Sequence, residues 1–77
     1  MLGSFCFIVL VGMNDGVRGD TTETKMLIPV SQIGYVKKLG KDKYSTVKIE
    51  SSPNDQYFEI KETAEEVAQI IKKECKQ

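Results

Sequence analysis

Hydrophobic and polar positions follow two different periods along this chain, and the change of period marks its elements. Phe5-Cys6-Phe7-Ile8-Val9-Leu10-Val11 is continuously apolar. Aromatic and β-branched residues on both faces predict a central strand, one face of which lies under a helix. Lys25 to Val30 predicts a second strand, with Pro29 at its end or on a sheet edge because it lacks an N–H. Ile33-Gly34-Tyr35-Val36-Lys37-Lys38 starts a third strand after the step at Ser31-Gln32. Tyr44 to Glu50 alternates, with Val47 and Ile49 inward. Tyr57 to Lys61 alternates too, with Phe58 and Ile60 on one face and Glu59 and Lys61 on the other.

From Thr63 the period becomes helical. Ala64, Val67, Ala68, Ile71 and Cys75 fall at i, i+3, i+4, i+7 and i+11, and Ile70 widens the stripe. Thr63 and Glu66 have the spacing of a capping box. Glu65 and Glu66 in the first turn, with Lys72, Lys73 and Lys76 near the end, suit the helix dipole. So short a helix is marginal alone in water and must dock on the sheet.

Between these elements lie turn signals. Asn14-Asp15-Gly16 is one, Gly40-Lys41-Asp42-Lys43 reads as a hairpin loop, and Ser51-Ser52-Pro53-Asn54-Asp55 contains proline. The polar stretch to Thr24 predicts a mobile excursion over 13–24. Arg18-Gly19-Asp20 within it matches an integrin-recognition tripeptide, which three residues do readily by chance. The expected architecture is α+β: a small, bent antiparallel sheet of about five strands with one C-terminal helix packed on one face. The chain, residues 1–77, reads as a single domain.

Length and charge narrow the function. A chain of 77 residues supports one compact core. Eleven basic and eleven acidic residues cancel, so net charge supplies no drive toward nucleic acid or anionic lipid and mildly favours self-association. The apolar run at 5–11 lacks a preceding basic region and is too short to span a bilayer. Cys6 and Cys75 sit in apolar patterns and read as two small buried hydrophobes in a reducing compartment. They could pair if the first strand lies under the helix. Location is expected to be cytoplasmic.

Chemistry is sparse. The chain has no histidine, which removes the commonest general base and metal ligand. No Cys-X-X-Cys spacing points to zinc, and no glycine-rich strand–helix turn points to a phosphate cradle. The carboxylates fall on turns and solvated faces. No catalytic, cofactor-binding or metal-binding residues are therefore assigned, and no enzyme activity is expected. One basic cluster stands out: Lys37, Lys38, Lys41 and Lys43, flanked by Tyr35 and Tyr44. Lysines interleaved with aromatics can hold a nucleic-acid backbone. A solvated hairpin tip, with Asp42 in its middle, accounts for the same residues.

Two family resemblances follow from particular segments. Lys25-Met26-Leu27-Ile28-Pro29-Val30-Ser31-Gln32-Ile33-Gly34-Tyr35-Val36 and Ile60-Lys61-Glu62-Thr63-Ala64-Glu65-Glu66-Val67 resemble the middle and end of the small FlbD/SwrD-like family associated with bacterial flagellar operons and swarming. The likeness spans residues 5–12 and 25–72, and the chain departs from it at 13–24. It implies a small bacterial accessory protein and no catalytic residues. Ile28 to Val36, then Tyr44, then a strand entering a helix, is similar to the first two-thirds of LytTR-type DNA-binding domains. This chain ends where that family continues into its arginine-rich strands.

The expected function is thus a non-catalytic accessory or regulatory module acting by protein contact. Sheet edges offer strand addition, to a partner or to a second copy as a homodimer. Pro29 and Lys37-Lys38 would restrain such pairing. The alternative is a nucleic-acid-binding regulator using the 35–44 hairpin.

Overall fold

The computed structural model describes residues 6–75. Five strands precede one helix: β1 Phe7–Asp15, β2 Thr21–Pro29, β3 Ile33–Lys37, β4 Ser45–Ile49, β5 Gln56–Ile60 and α1 Ala64–Glu74. A single turn of 3₁₀ helix, Val30–Gln32, makes the step between β2 and β3. The strands form one antiparallel sheet in the order β2-β1-β5-β4-β3. The α+β architecture expected from the pattern is the one observed. Pro29 closes β2, an outer strand, where its missing N–H costs no ladder bond.

Alternation decides the two faces. Ile8 and Leu10 of β1, Ile28 of β2, Val47 and Ile49 of β4, and Ile60 of β5 are buried on the inner face with Val67 of α1. Met26, Val30, Ile33, Val36, Ile70, Ile71 and Cys75 pack around them. Ile33 and Val36 are an odd number of residues apart, so regular alternation would send one outward. A bulge between Ile33 and Tyr35 absorbs Gly34 and lets both reach the core.

The start of α1 follows the expected cap. Thr63 Oγ1 accepts from the Glu66 N–H at 3.1 Å, and the Glu66 carboxylate accepts from the Thr63 N–H at 2.9 Å. The buried stripe is narrower than the helical period suggested. Ala64 and Ala68 are exposed, and contact runs through Val67, Ile70, Ile71 and Cys75. Lys76 lies outside the described residues.

Three further expectations are corrected. First, 13–24 is not an excursion between strands. β1 continues to Asp15, β2 begins at Thr21, and Met13↔Glu23, Asn14↔Thr22 and Asp15↔Thr21 pair in register. The turn is confined to 16–20, closed by the Gly16 N–H donating to the Asp20 carbonyl at 2.6 Å, with Gly19 at φ 85°. Polar threonines read as loop, yet a ribbon exposed on both faces needs no apolar alternation. Second, burial along β5 is uneven: Phe58 shares the inner face with Ile60, as the alternation predicts, but is 38% exposed while Ile60 is buried. Third, Cys6 and Cys75 are not separate thiols. They form a disulfide, with Cα atoms 5.7 Å apart, joining the chain ahead of β1 to the end of α1. Phe5, placed in the first strand from its apolar run, lies outside the described residues.

Candidate interaction surface

The outer face of the sheet carries side chains that no described element covers. Strand partners share a face, so Val9↔Leu27 and Phe7↔Pro29 form an apolar strip on the β1–β2 ribbon. Phe7 is 50% exposed, Val9 49% and Leu27 69%. These are large apolar side chains side by side on two strands, which a solvated face does not require.

Across the sheet the same face turns aromatic and basic. Tyr35, Lys48 and Tyr57 are in register on β3, β4 and β5. The Tyr35 ring has two ammonium groups near it, with Lys37 Nζ 5.1 Å and Lys48 Nζ 5.6 Å from its centroid. Lys48 also pairs with Asp55 at 3.5 Å. The Asp55 charge holds the Lys48 ammonium above its ordinary pKa.

The structure divides the six residues of the basic cluster. Tyr35 and Lys37 meet on β3, facing outward. Lys43 and Tyr44 form a second pair, with Nζ 5.2 Å from the ring centroid. That pair is tied to the far hairpin, where Tyr44 Oη donates to Asp15 at 3.1 Å and Lys43 Nζ lies 3.9 Å from the same carboxylate. The Tyr44 hydroxyl oxygen, then Asp15, raises the Lys43 pKa. Lys38 and Lys41 stand exposed in the β3–β4 connection. Lys48 and Tyr57 complete the outer row, and local pattern could not have grouped them with Tyr35, because only the β3–β4–β5 register brings them together.

A different feature lies between β1 and α1. The β1–β2 ladder uses the even residues of β1: the Cys6 carbonyl accepts from Val30, and Gly16 donates to Asp20. The N–H and C=O of odd residues therefore point toward the β5 side. There β5 meets β1 only at Gly12↔Ile60. The Val11 carbonyl still accepts from the Lys61 N–H at 2.9 Å. The Val11 N–H is met by the Glu62 carboxylate, both oxygens at 3.1 Å, standing in for a strand carbonyl. Beyond that point the chain has turned into α1. Among the described residues no backbone hydrogen bond joins Phe7 or Val9 to anything on this side.

The space left open is a trough. Phe7, Ile8, Val9, Ile70 and Glu74 line a cavity of about 370 Å³. Glu62, Glu65, Glu66, Gln69 and Ile70 line a second of about 390 Å³ along the same helix. Ile70 belongs to both, and the two linings contain four glutamates and no lysine or arginine. Sequence reasoning gave Glu65 and Glu66 to the helix dipole and did not see this opening, because it arises where β5 departs from β1.

Arg18-Gly19-Asp20 occupies the exposed hairpin turn. Among the described residues, no group of three or more His, Cys, Asp or Glu could hold a metal, and no helix is long and apolar enough to cross a membrane. No family model, curated protein or solved structure matches the chain.

Proposed function

We propose that this protein is a non-catalytic accessory or regulatory module that works by protein contact. The observation that carries this reading is the exposed apolar strip of Phe7, Val9 and Leu27 on the outer sheet face. Covering these side chains would contribute about 25 cal/mol per Å² of apolar surface removed from water. The charge balance supports protein contact over nucleic-acid binding, since eleven cations face eleven anions. The Cys6–Cys75 bridge supports work in an oxidising compartment and not in the cytoplasm, where such bonds are reduced.

The nucleic-acid reading keeps one supporting observation, the Tyr35–Lys48–Tyr57 row on an uncovered face. Against it, Lys37 and Lys48 lie near the Tyr35 ring, and Asp15 neutralises Lys43.

One comparison separates the two readings. Wild type and Leu27→Lys are compared by light scattering at high concentration and by pull-down, and labelled wild type is titrated with duplex DNA at low salt. The expected result is a self-complex or a captured partner that Leu27→Lys loses, with no DNA shifts. A strict monomer without a captured partner, or association that Leu27→Lys leaves intact, would sink the strip as the contact surface. Salt-sensitive shifts at Tyr35, Lys48 and Tyr57 would transfer the assignment to nucleic acid.

A further inference from the structure

We propose that the trough between β1 and α1 is a strand-addition site for an extended peptide segment that alternates basic and apolar residues. This deepens the protein-contact reading and rests on it.

Three features of the trough define its occupant. The first is backbone polarity. Phe7 and Val9 present N–H and C=O groups to the trough, and such groups need partners when covered. An incoming strand along the line that β5 leaves at Ile60 would supply them. The Glu62 carboxylate on the Val11 N–H shows this edge already recruiting an acceptor from outside the ladder. The second feature is length. From Val11 to Phe7 the open edge spans about 13 Å at the usual strand rise, so about four partner residues fit. The third is chemistry. Phe7, Val9 and Ile70 offer apolar contact, while Glu62, Glu65, Glu66 and Glu74 line the helix side without a basic residue among them. A strand places alternate side chains on opposite faces. One set would meet the apolar wall, and the other would carry lysine or arginine toward the glutamates. An acidic segment would place like charges against them and be rejected.

β2 and β3 also end the sheet, so their edges are open as well. β3 carries Lys37 and is followed by Lys38, and β2 ends in Pro29, features that discourage pairing. The β1 edge has neither at Phe7 or Val9.

The test is an amide-shift titration of the intact, oxidised protein with a synthetic seven-residue peptide of alternating lysine and valine. Its glutamate–valine counterpart is the control. Saturable shifts at residues 7–11 and 69–74 are expected, with binding at least about tenfold tighter for the basic peptide. Val9→Pro removes an N–H that the β1–β2 ladder does not use, and should abolish the shifts. The pair Glu65→Lys and Glu74→Lys, both on exposed positions, should remove the preference for the basic peptide and decides the matter if Val9→Pro does not fold. No saturable shifts, equal binding of both peptides, or shifts confined to Leu27, Tyr35, Lys48 and Tyr57, which lie outside the trough, would overturn the proposal. A failure here is distinct from failure of the contact reading, because Leu27→Lys probes a residue outside the trough.

Discussion

Glu62 does a job that its place in the sequence does not announce. It lies between the last strand residue and the helix cap, where a solvated carboxylate is expected. In the fold it reaches back fifty-one positions to the Val11 N–H. Its side chain is only partly exposed and the bond is part-buried, so Val11 would otherwise lose its acceptor at the point where β5 leaves β1. Leaving such a donor unmet costs about 1–3 kcal/mol. Glu62→Ala should therefore lower stability by about that amount in urea unfolding, whereas Glu62→Gln, which keeps one carbonyl oxygen, should lose clearly less. Equal losses would mean that the Val11 N–H finds water and that Glu62 is not its effective partner.

At the scale of elements, α1 is the only α-helix among the described residues, and Val67 is its one buried side chain. Burying a valine contributes about 1.5–3 kcal/mol, and a carboxylate in its place would have no partner. Val67→Asp should abolish the cooperative melt, while Lys73→Ala, on the exposed face, should change stability by less than about 0.5 kcal/mol. Indistinguishable melts would mean that the helix does not dock. The elements carried by strong local signals were legible in the sequence: β4 from its alternation, and α1 from its period and the Thr63–Glu66 box. What stayed hidden depends on which strands pair and in what order. The Thr21–Thr24 segment is a strand because Asp15 to Gly12 face it, and no local propensity contains that fact. The division of the 35–44 lysines, and the trough beside Phe7 and Val9, follow from strand order β2-β1-β5-β4-β3. That order brings a short β5 beside a long β1 and leaves the β5-facing edge of β1 open at Phe7 and Val9. A hydrophobic pattern shows which residues face inward, but not which edge remains open.

For the molecule as a whole, the covalent link between the two ends governs how firmly the fold is held. Among the described residues the buried core is seven apolar side chains, and a domain of this size has a net stability of about 4–12 kcal/mol. The Cys6–Cys75 bridge closes a loop of sequence separation 69. Restricting the unfolded chain over such a loop is worth about 4 kcal/mol, a large share of that total. Its position adds a mechanical role. α1 is held at its start by Glu62 and the Thr63 cap, and at its end by Cys75, so the bridge keeps Ile70 and Glu74 opposite Phe7 and Val9. Reduction should lower the Tm by about 15 °C or more, given about 4–8 °C per kcal/mol for a domain of this size. A double variant, Cys6→Ser with Cys75→Ser, should match the reduced wild type and be insensitive to reductant. Amide exchange would then show protection falling first at 69–75 and at the start of β1, the segments the bridge joins. A wild-type Tm unmoved by reductant, with free thiols titratable in the native protein, would mean that the bridge is not formed in solution. In that case the argument for an oxidising compartment would fail with it, while the strand order and the open β1 edge, which rest on backbone pairing, would stand.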